Sequence, residues 1–270
     1  MTTPSNSYPK QEKKQGVSGT QSVDRTLHLL ELVAQYGPIS LHALCKHANL
    51  NRTTAWRLLA ALEDHHFVER IPATKEYDLG FAASLLCTTQ QRRYTPLIRC
   101  AQPFMEALMQ ESQETVMLSV CHFDSTSVIY QVDPPSSVHL KDYVNQPTPL
   151  WGTSNGKVAL AYFTPEEQSH FFAHPLTAFT KDTVIEPAAI KEELERVLTD
   201  GYAMVEGEWS LEENAIAAPI LANDRLVASL GIGGPRFRFT KEHMLAIAPF
   251  LCQTATVIGE CLLGNTSHDE

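Results

Sequence analysis

Residues 149–162 read PLWGTSNGKVALAY, and Gly152, Ser154, Gly156 and Lys157 within that run admit three kinds of chemistry. Gly152-Thr153-Ser154-Asn155-Gly156 fits G-x-S-x-G, the sharp turn that presents the nucleophilic serine of a hydrolase. Gly156-Lys157 has the form of the end of a phosphate-binding loop. The same stretch also reads as the start of a helix, whose unpaired N–H groups and dipole can hold a small anion without reacting with it.

The phosphate loop fails on spacing. Trp151 stands where its first glycine should be, and Val158 replaces the Ser/Thr that would hold magnesium. The serine turn matches literally, but it should follow a buried parallel strand, and here NQPTPLW brings two prolines. Asp200 or Asp224 with His243 would satisfy the order Ser…Asp…His, yet such residues are common enough to occur by chance. Hydrolysis by Ser154 stays as the alternative. The preferred reading is a helix start, capped by Thr153 or Ser154, with Gly152 and Gly156 allowing a ligand or a strand to come close. Capping with no ligand is its plain counterpart.

These residues must be held by something, and the chain divides by texture. Residues 1–20 are polar, lack the apolar core of a secretory signal, and read as a disordered tail. Residues 21–82 read as three helices and a hairpin. Ser22 is a candidate N-cap, followed by Val23, Leu27, Leu30 and Ala34 at helical spacing up to Gly37-Pro38. A second short helix is capped by Ser40 and turns Leu41, Leu44, Cys45 and Ala48 inward. A third buries Ala55, Leu58, Leu59 and Leu62. A hairpin turning through Pro72-Ala73-Thr74 completes a winged helix-turn-helix. The outward face of the third helix carries Arg52, Thr53, Thr54, Trp56 and Arg57, types that reach phosphates and base edges, and Lys75 on the hairpin could touch a flanking backbone. Trp56 either packs under the wing or stacks on the nucleic acid.

Residues 83–113 read as two linker helices parted near Thr95-Pro96, and 114–266 as a sensor domain. Its expected strands are TVMLSVCHF, STSVIYQVD, SVHLKDYV, GYAMVEGEW and the pair within NAIAAPILANDRLVASLGIGGP, turning at Asn223-Asp224. About six antiparallel strands, with helices to one side and across the ends, make an α+β domain.

The 270 residues suffice for about two domains. Their net charge of −10 taken alone disfavours nucleic acid, but residues 1–80 sum to about +1 and the remainder to about −11, so a basic surface on the head stays open. Six scattered cysteines without C-x-x-C spacing predict free thiols in a reducing cytoplasm. No metal site, cofactor or membrane span is expected.

NLNRTTAWRLLAALEDHHFVER, TPLWGTSNGKVALA and the later RVLTDGYAM…VASLGIGGPRFRFT together resemble the IclR family of transcriptional regulators, from about residue 20 to 263. The resemblance implies a winged head, a linker helix and a GAF-like effector-binding domain, without catalysis. It implies homodimers or tetramers on palindromic double-stranded DNA, a repressor of a catabolic operon, and a small carboxylate effector, aromatic ones included. Carried over by position, the effector site comprises Trp151, Ser154, Asn155, Gly156, Val205, Ala215, Gly231 and Gly233. Val205, Ala215, Gly231 and Gly233 depart from the polar residues of relatives that take very small acids. That departure implies a larger, flatter ligand, with Trp151 available for stacking.

Overall fold

The computed structural model describes residues 20–122 and 124–266, so the expected tail at 1–19 lies outside the described residues. The chain forms two compact units that divide between Arg93 and Tyr94.

The first unit contains α1 (Gln21–Tyr36), α2 (Leu41–Ala48), α3 (Arg52–Asp64) and a two-stranded wing, β1 (Val68–Arg70) and β2 (Tyr77–Leu79). Gly37, at φ 66°, closes α1. The Ser40 hydroxyl accepts from the Ala43 N–H and so caps α2. Asn51 caps α3 by accepting from the Thr54 N–H at 2.8 Å, which fixes the chain's entry into that helix. Ala55, Leu58, Leu59 and Leu62 are all buried, as their spacing predicts. The stripe expected on α1 is wrong. That helix buries Leu29, Leu32 and Val33, while Val23 and Leu27 are more than half exposed, and Ser22 lies inside the helix rather than capping it. Two apolar stripes run along α1, and the core takes only one.

The helix α4 (Phe81–Ser112) is continuous, with Pro96 and Pro103 inside it; the predicted break at Thr95-Pro96 is absent. A proline in a helix costs about 3 kcal/mol, and here Leu97, Ile98, Ala101, Met105 and Leu108 pack against the core of the second unit over that same stretch. Tertiary burial outweighs the local penalty.

The second unit is built on a six-stranded antiparallel sheet ordered β5-β4-β3-β8-β7-β6. Its strands are β3 (Thr115–His122), β4 (Ser125–Val132), β5 (Pro147–Pro149), β6 (Ala203–Glu206), β7 (Glu213–Ala222) and β8 (Arg225–Pro235). Asn223 and Asp224 both take positive φ in the β7–β8 turn. The expected strand 137–144 is irregular backbone, joined to β4 by a bridge from Val144 to Val128 and by the Gln131 side chain, which donates to the Lys141 carbonyl and accepts from the Tyr143 N–H. The edge strand is instead the short β5, whose prolines are tolerated because one side needs no partner.

Helices cover both faces of this sheet, not one. On one face Val116, Leu118, Ile216, Leu230 and Ile232 meet α4 and α8 (Lys241–Thr266). By length and composition residues 241–264 could cross a membrane, but Met244, Leu251, Ala255 and Ile258 are buried on the sheet. The opposite face carries α5 (Ser154–Ala161) and α7 (Pro187–Asp200); the short α6 (Pro165–Phe172) follows α5. Cys100 on α4 and Cys261 on α8, with Cα atoms 6.5 Å apart, form a disulfide, so the expectation of six free thiols is corrected to four, Cys45, Cys87, Cys121 and Cys252. The two helices lie side by side there, a proximity that sequence spacing does not reveal.

Candidate functional sites: the exposed face of α3 and a cavity at the start of α5

In the head, Arg52, Thr53, Trp56 and Arg57 are exposed on α3, Thr54 is partly buried, and Lys75 is exposed at the wing. Trp56 is 55% exposed, so it does not pack under the wing. The basic and aromatic groups occupy the first half of the helix, and Glu63 and Asp64 lie at its far end. A helix with that polarity presents its N-terminal half to an anionic surface. Arg70 turns back onto the wing, donating to the Lys75 carbonyl and lying 5.8 Å from the Tyr77 ring centroid.

In the second unit, Thr153 caps α5. Its hydroxyl donates to the Pro149 carbonyl at 2.9 Å and accepts from the Gly156 N–H at 3.1 Å. Ser154 and Asn155 occupy the first turn and are buried. They border a cavity of about 490 Å³, its open mouth included, whose other walls are Met117 and Val128 from the sheet, Leu140 and Tyr143 from the irregular segment, Val205 and Ala215 from β6 and β7, and Trp209 and Glu213. Four of the eight residues expected there, Ser154, Asn155, Val205 and Ala215, therefore line it.

The other four do not, each for a steric reason. The Trp151 indole donates to the Thr177 carbonyl and stacks on Phe179 at 5.2 Å, in an aromatic cluster with Phe171. The ring at the cavity is Trp209, which meets the other side of that cluster through Phe179. Gly156 lies so close to the Pro149 and Leu150 carbonyls that a Cβ would stand 2.5 Å from both. A Cβ at Gly231 would strike the Asn155 carboxamide, and one at Gly233 would strike Leu140 and Met117. The space beside these glycines is taken by neighbouring backbone at Gly156 and by neighbouring side chains at Gly231 and Gly233, rather than open to a ligand. Tyr143 and Leu140 belong to 137–144, whose alternation predicts a strand but whose irregular backbone turns both toward the cavity. Glu213 had a usable signal: it stands two residues before Ala215 on β7 and so faces the same way.

Lys157 points away from the cavity. Its Nζ is buried between Glu208 at 2.5 Å and Glu193 at 2.7 Å, which ties α5 to α7 and to the β6–β7 loop. Burial pushes the Glu208 carboxyl above its ordinary range, against the pull of Lys157. Tyr143 donates to Glu213 at 2.8 Å, and burial raises the pKa of both groups.

The triad partners that the sequence offers Ser154 are not at the start of α5. His243 sits on α8, across the sheet from α5; Asp200 ends α7 and Asp224 is in the β7–β8 turn. Among the described residues no histidine lines the cavity, so the Ser-His-Asp arrangement is not assembled there.

Two family models match the chain, "IclR helix-turn-helix domain" over residues 22–72 and "Bacterial transcriptional regulator IclR C-terminal" over 90–260. An HTH-type transcriptional regulator of Mycobacterium tuberculosis is 30% identical over 234 residues, 86% of this chain and 88% of that protein. The transcriptional repressor IclR of Escherichia coli is 27% identical, covering 87% of each. Among solved structures, a putative regulator from Silicibacter is similar with TM-score 0.72 and 25% identity, over 89% of this chain and 96% of that one. An IclR homologue from Microbacterium hydrocarbonoxydans, complexed with 4-hydroxybenzoate, has TM-score 0.73 at 21% identity, over 90% and 100%.

Proposed function

The chain belongs to the IclR family of bacterial transcriptional regulators and is not an enzyme, and from that premise we propose that it is a cytoplasmic repressor whose affinity for a palindromic operator is set by a small carboxylate in the α5 cavity. The observation that carries this reading is the cavity itself: the first turn of a capped helix forms one wall of an otherwise largely apolar space. A carboxylate placed there meets N–H groups and the positive end of the helix dipole. That a protein of the same fold has been solved with 4-hydroxybenzoate supports a ligand of this size. For the ligand to act as a switch it must favour one arrangement of the heads, by about 1–3 kcal/mol of coupling.

The reading surface is the exposed face of α3. Arg52→Ala and Arg57→Ala are each expected to weaken operator binding with the fold intact. A lost base contact costs about 1–3 kcal/mol and relaxes specificity at one position; a lost phosphate contact weakens all sequences alike. Gel shifts near physiological salt measure this, and wild-type affinity in both variants would show that another surface reads the DNA.

The functional unit is a homodimer. One head covers only a few base pairs, and two heads in successive major grooves stand about 34 Å apart. Val23 and Leu27 on α1 and Phe81, Leu85 and Leu86 on α4 are large apolar side chains, each at least 52% exposed, and a second copy would cover them. Sedimentation should give a dimer or tetramer; a monomer that holds one half-site tightly would contradict the assignment.

A further inference from the structure

Glu213 is the one carboxylate among the described residues that line the cavity. The Asn155 side-chain oxygen is buried with no partner. Glu213 sits on the cavity face of β7 beside Ala215, and one of its carboxylate oxygens, Oε2, is held by the Tyr143 hydroxyl. The Thr148 hydroxyl is already engaged with Thr126, and that of Thr153 with the Pro149 carbonyl. Among the described residues no Lys, Arg or His lines the space, so the start of α5 supplies the positive end for an anion. A ligand anchored there by its carboxylate meets Glu213 with its other end. A hydroxyl at that end gives the half-buried carboxylate a donor, while a second carboxylate faces like charge.

Resting on the cavity reading above, we propose that Glu213, oriented by Tyr143, determines effector specificity, selecting monocarboxylic acids that carry a hydroxyl remote from the carboxylate and rejecting dicarboxylates. Tyr143 is the positioning residue, and Glu213 is the group that touches the ligand.

Calorimetry on the full chain tests this with benzoate, 4-hydroxybenzoate, 4-methoxybenzoate and terephthalate, and with butyrate against 4-hydroxybutyrate. The hydroxylated acid should bind about tenfold or more tightly than its parent, since a hydrogen bond to a charged group is worth more than a neutral one. The methoxy compound should gain nothing, and terephthalate should bind about tenfold or more weakly than benzoate. In Glu213→Leu the ratio of hydroxylated to parent acid should fall to about one, whichever way the parent affinity moves. Should that variant fail to fold, Glu213→Gln decides: it keeps the shape and the Tyr143 contact, and the penalty on terephthalate should vanish. Equal binding of parent and hydroxylated acids, a hydroxyl preference that persists in Glu213→Leu, or a terephthalate penalty that persists in Glu213→Gln overturns the assignment while leaving the cavity reading intact. If none of these acids binds, both fall together.

Discussion

Lys157→Met should destabilise the second unit by about 3–5 kcal/mol at neutral pH, because it removes one partner from a buried ion cluster and leaves the other uncompensated. The wild-type ammonium is 1% exposed and serves two carboxylates, Glu208 and Glu193. For a unit of this size the change corresponds to a fall in Tm of roughly 6–20 °C. The deficit should depend on pH with a definite sign. Burial raises the Glu208 carboxyl even with Lys157 beside it, and without Lys157 its pKa rises further. A carboxyl whose folded pKa lies above its unfolded one contributes stability at low pH and loses it as pH rises through the folded value. Lys157→Met should therefore be close to wild type near pH 4 and far below it near pH 7. Adding Glu208→Gln and Glu193→Gln should restore most of the neutral-pH loss, since the uncompensated charges go with them. Thermal melts at the two pH values read both effects. A deficit under about 1 kcal/mol at pH 7, or one independent of pH, would mean that the cluster is solvated and not structural.

Local rules made the head legible. The α3 stripe follows from spacing, Ser40 and Asn51 are side-chain caps that short-range chemistry demands, and Gly37 supplies the positive φ that ends α1. Where two stripes compete, as on α1, only the tertiary partner decides, and the sequence pattern chose the wrong one. The continuity of α4 through Pro96 is likewise a tertiary outcome. In the second unit the strand pairs separated by tight turns were readable, but the segment 137–144 alternates like a strand and is not one. That segment supplies Leu140 and Tyr143, so that side of the cavity wall was invisible. The glycines show the same limit from the other side. A glycine can mark space kept for a ligand or space already taken by a neighbour, and Gly156, Gly231 and Gly233 are all of the second kind. The serine turn at 152–156 is a case of one local pattern with two tertiary meanings: the match is real, but the strand before it is an antiparallel edge and, among the described residues, no histidine lines the cavity beside it.

Gly156→Ala and Ala215→Leu should separate the two things the α5 start does, support the fold and bind the effector. A methyl at 156 would stand 2.5 Å from the backbone oxygens of both Pro149 and Leu150. Neither is the end of a flexible side chain, so the first turn of α5 or the β5 edge has to move. Overpacking of this kind costs about 1–3 kcal/mol and occasionally more. That displacement also shifts the N–H groups of Ser154 and Asn155 at the cavity wall, so stability and carboxylate affinity should fall together. Gly264→Ala is the matched control: a Cβ there meets nothing within 4 Å, and the change should raise helix stability by up to about 1 kcal/mol. Ala215→Leu instead projects its added atoms from β7 into the cavity. It should leave the melting temperature within a few degrees of wild type and leave operator binding intact, while lowering affinity for 4-hydroxybenzoate or benzoate about a hundredfold, which is about 2.7 kcal/mol. Gel shifts with and without acid, beside calorimetry and melts on the same samples, give the full comparison. If Ala215→Leu keeps its response to acid, the ligand lies elsewhere. If Gly156→Ala melts like wild type, the close approach of α5 to the Pro149 and Leu150 carbonyls is not what holds the helix start in place.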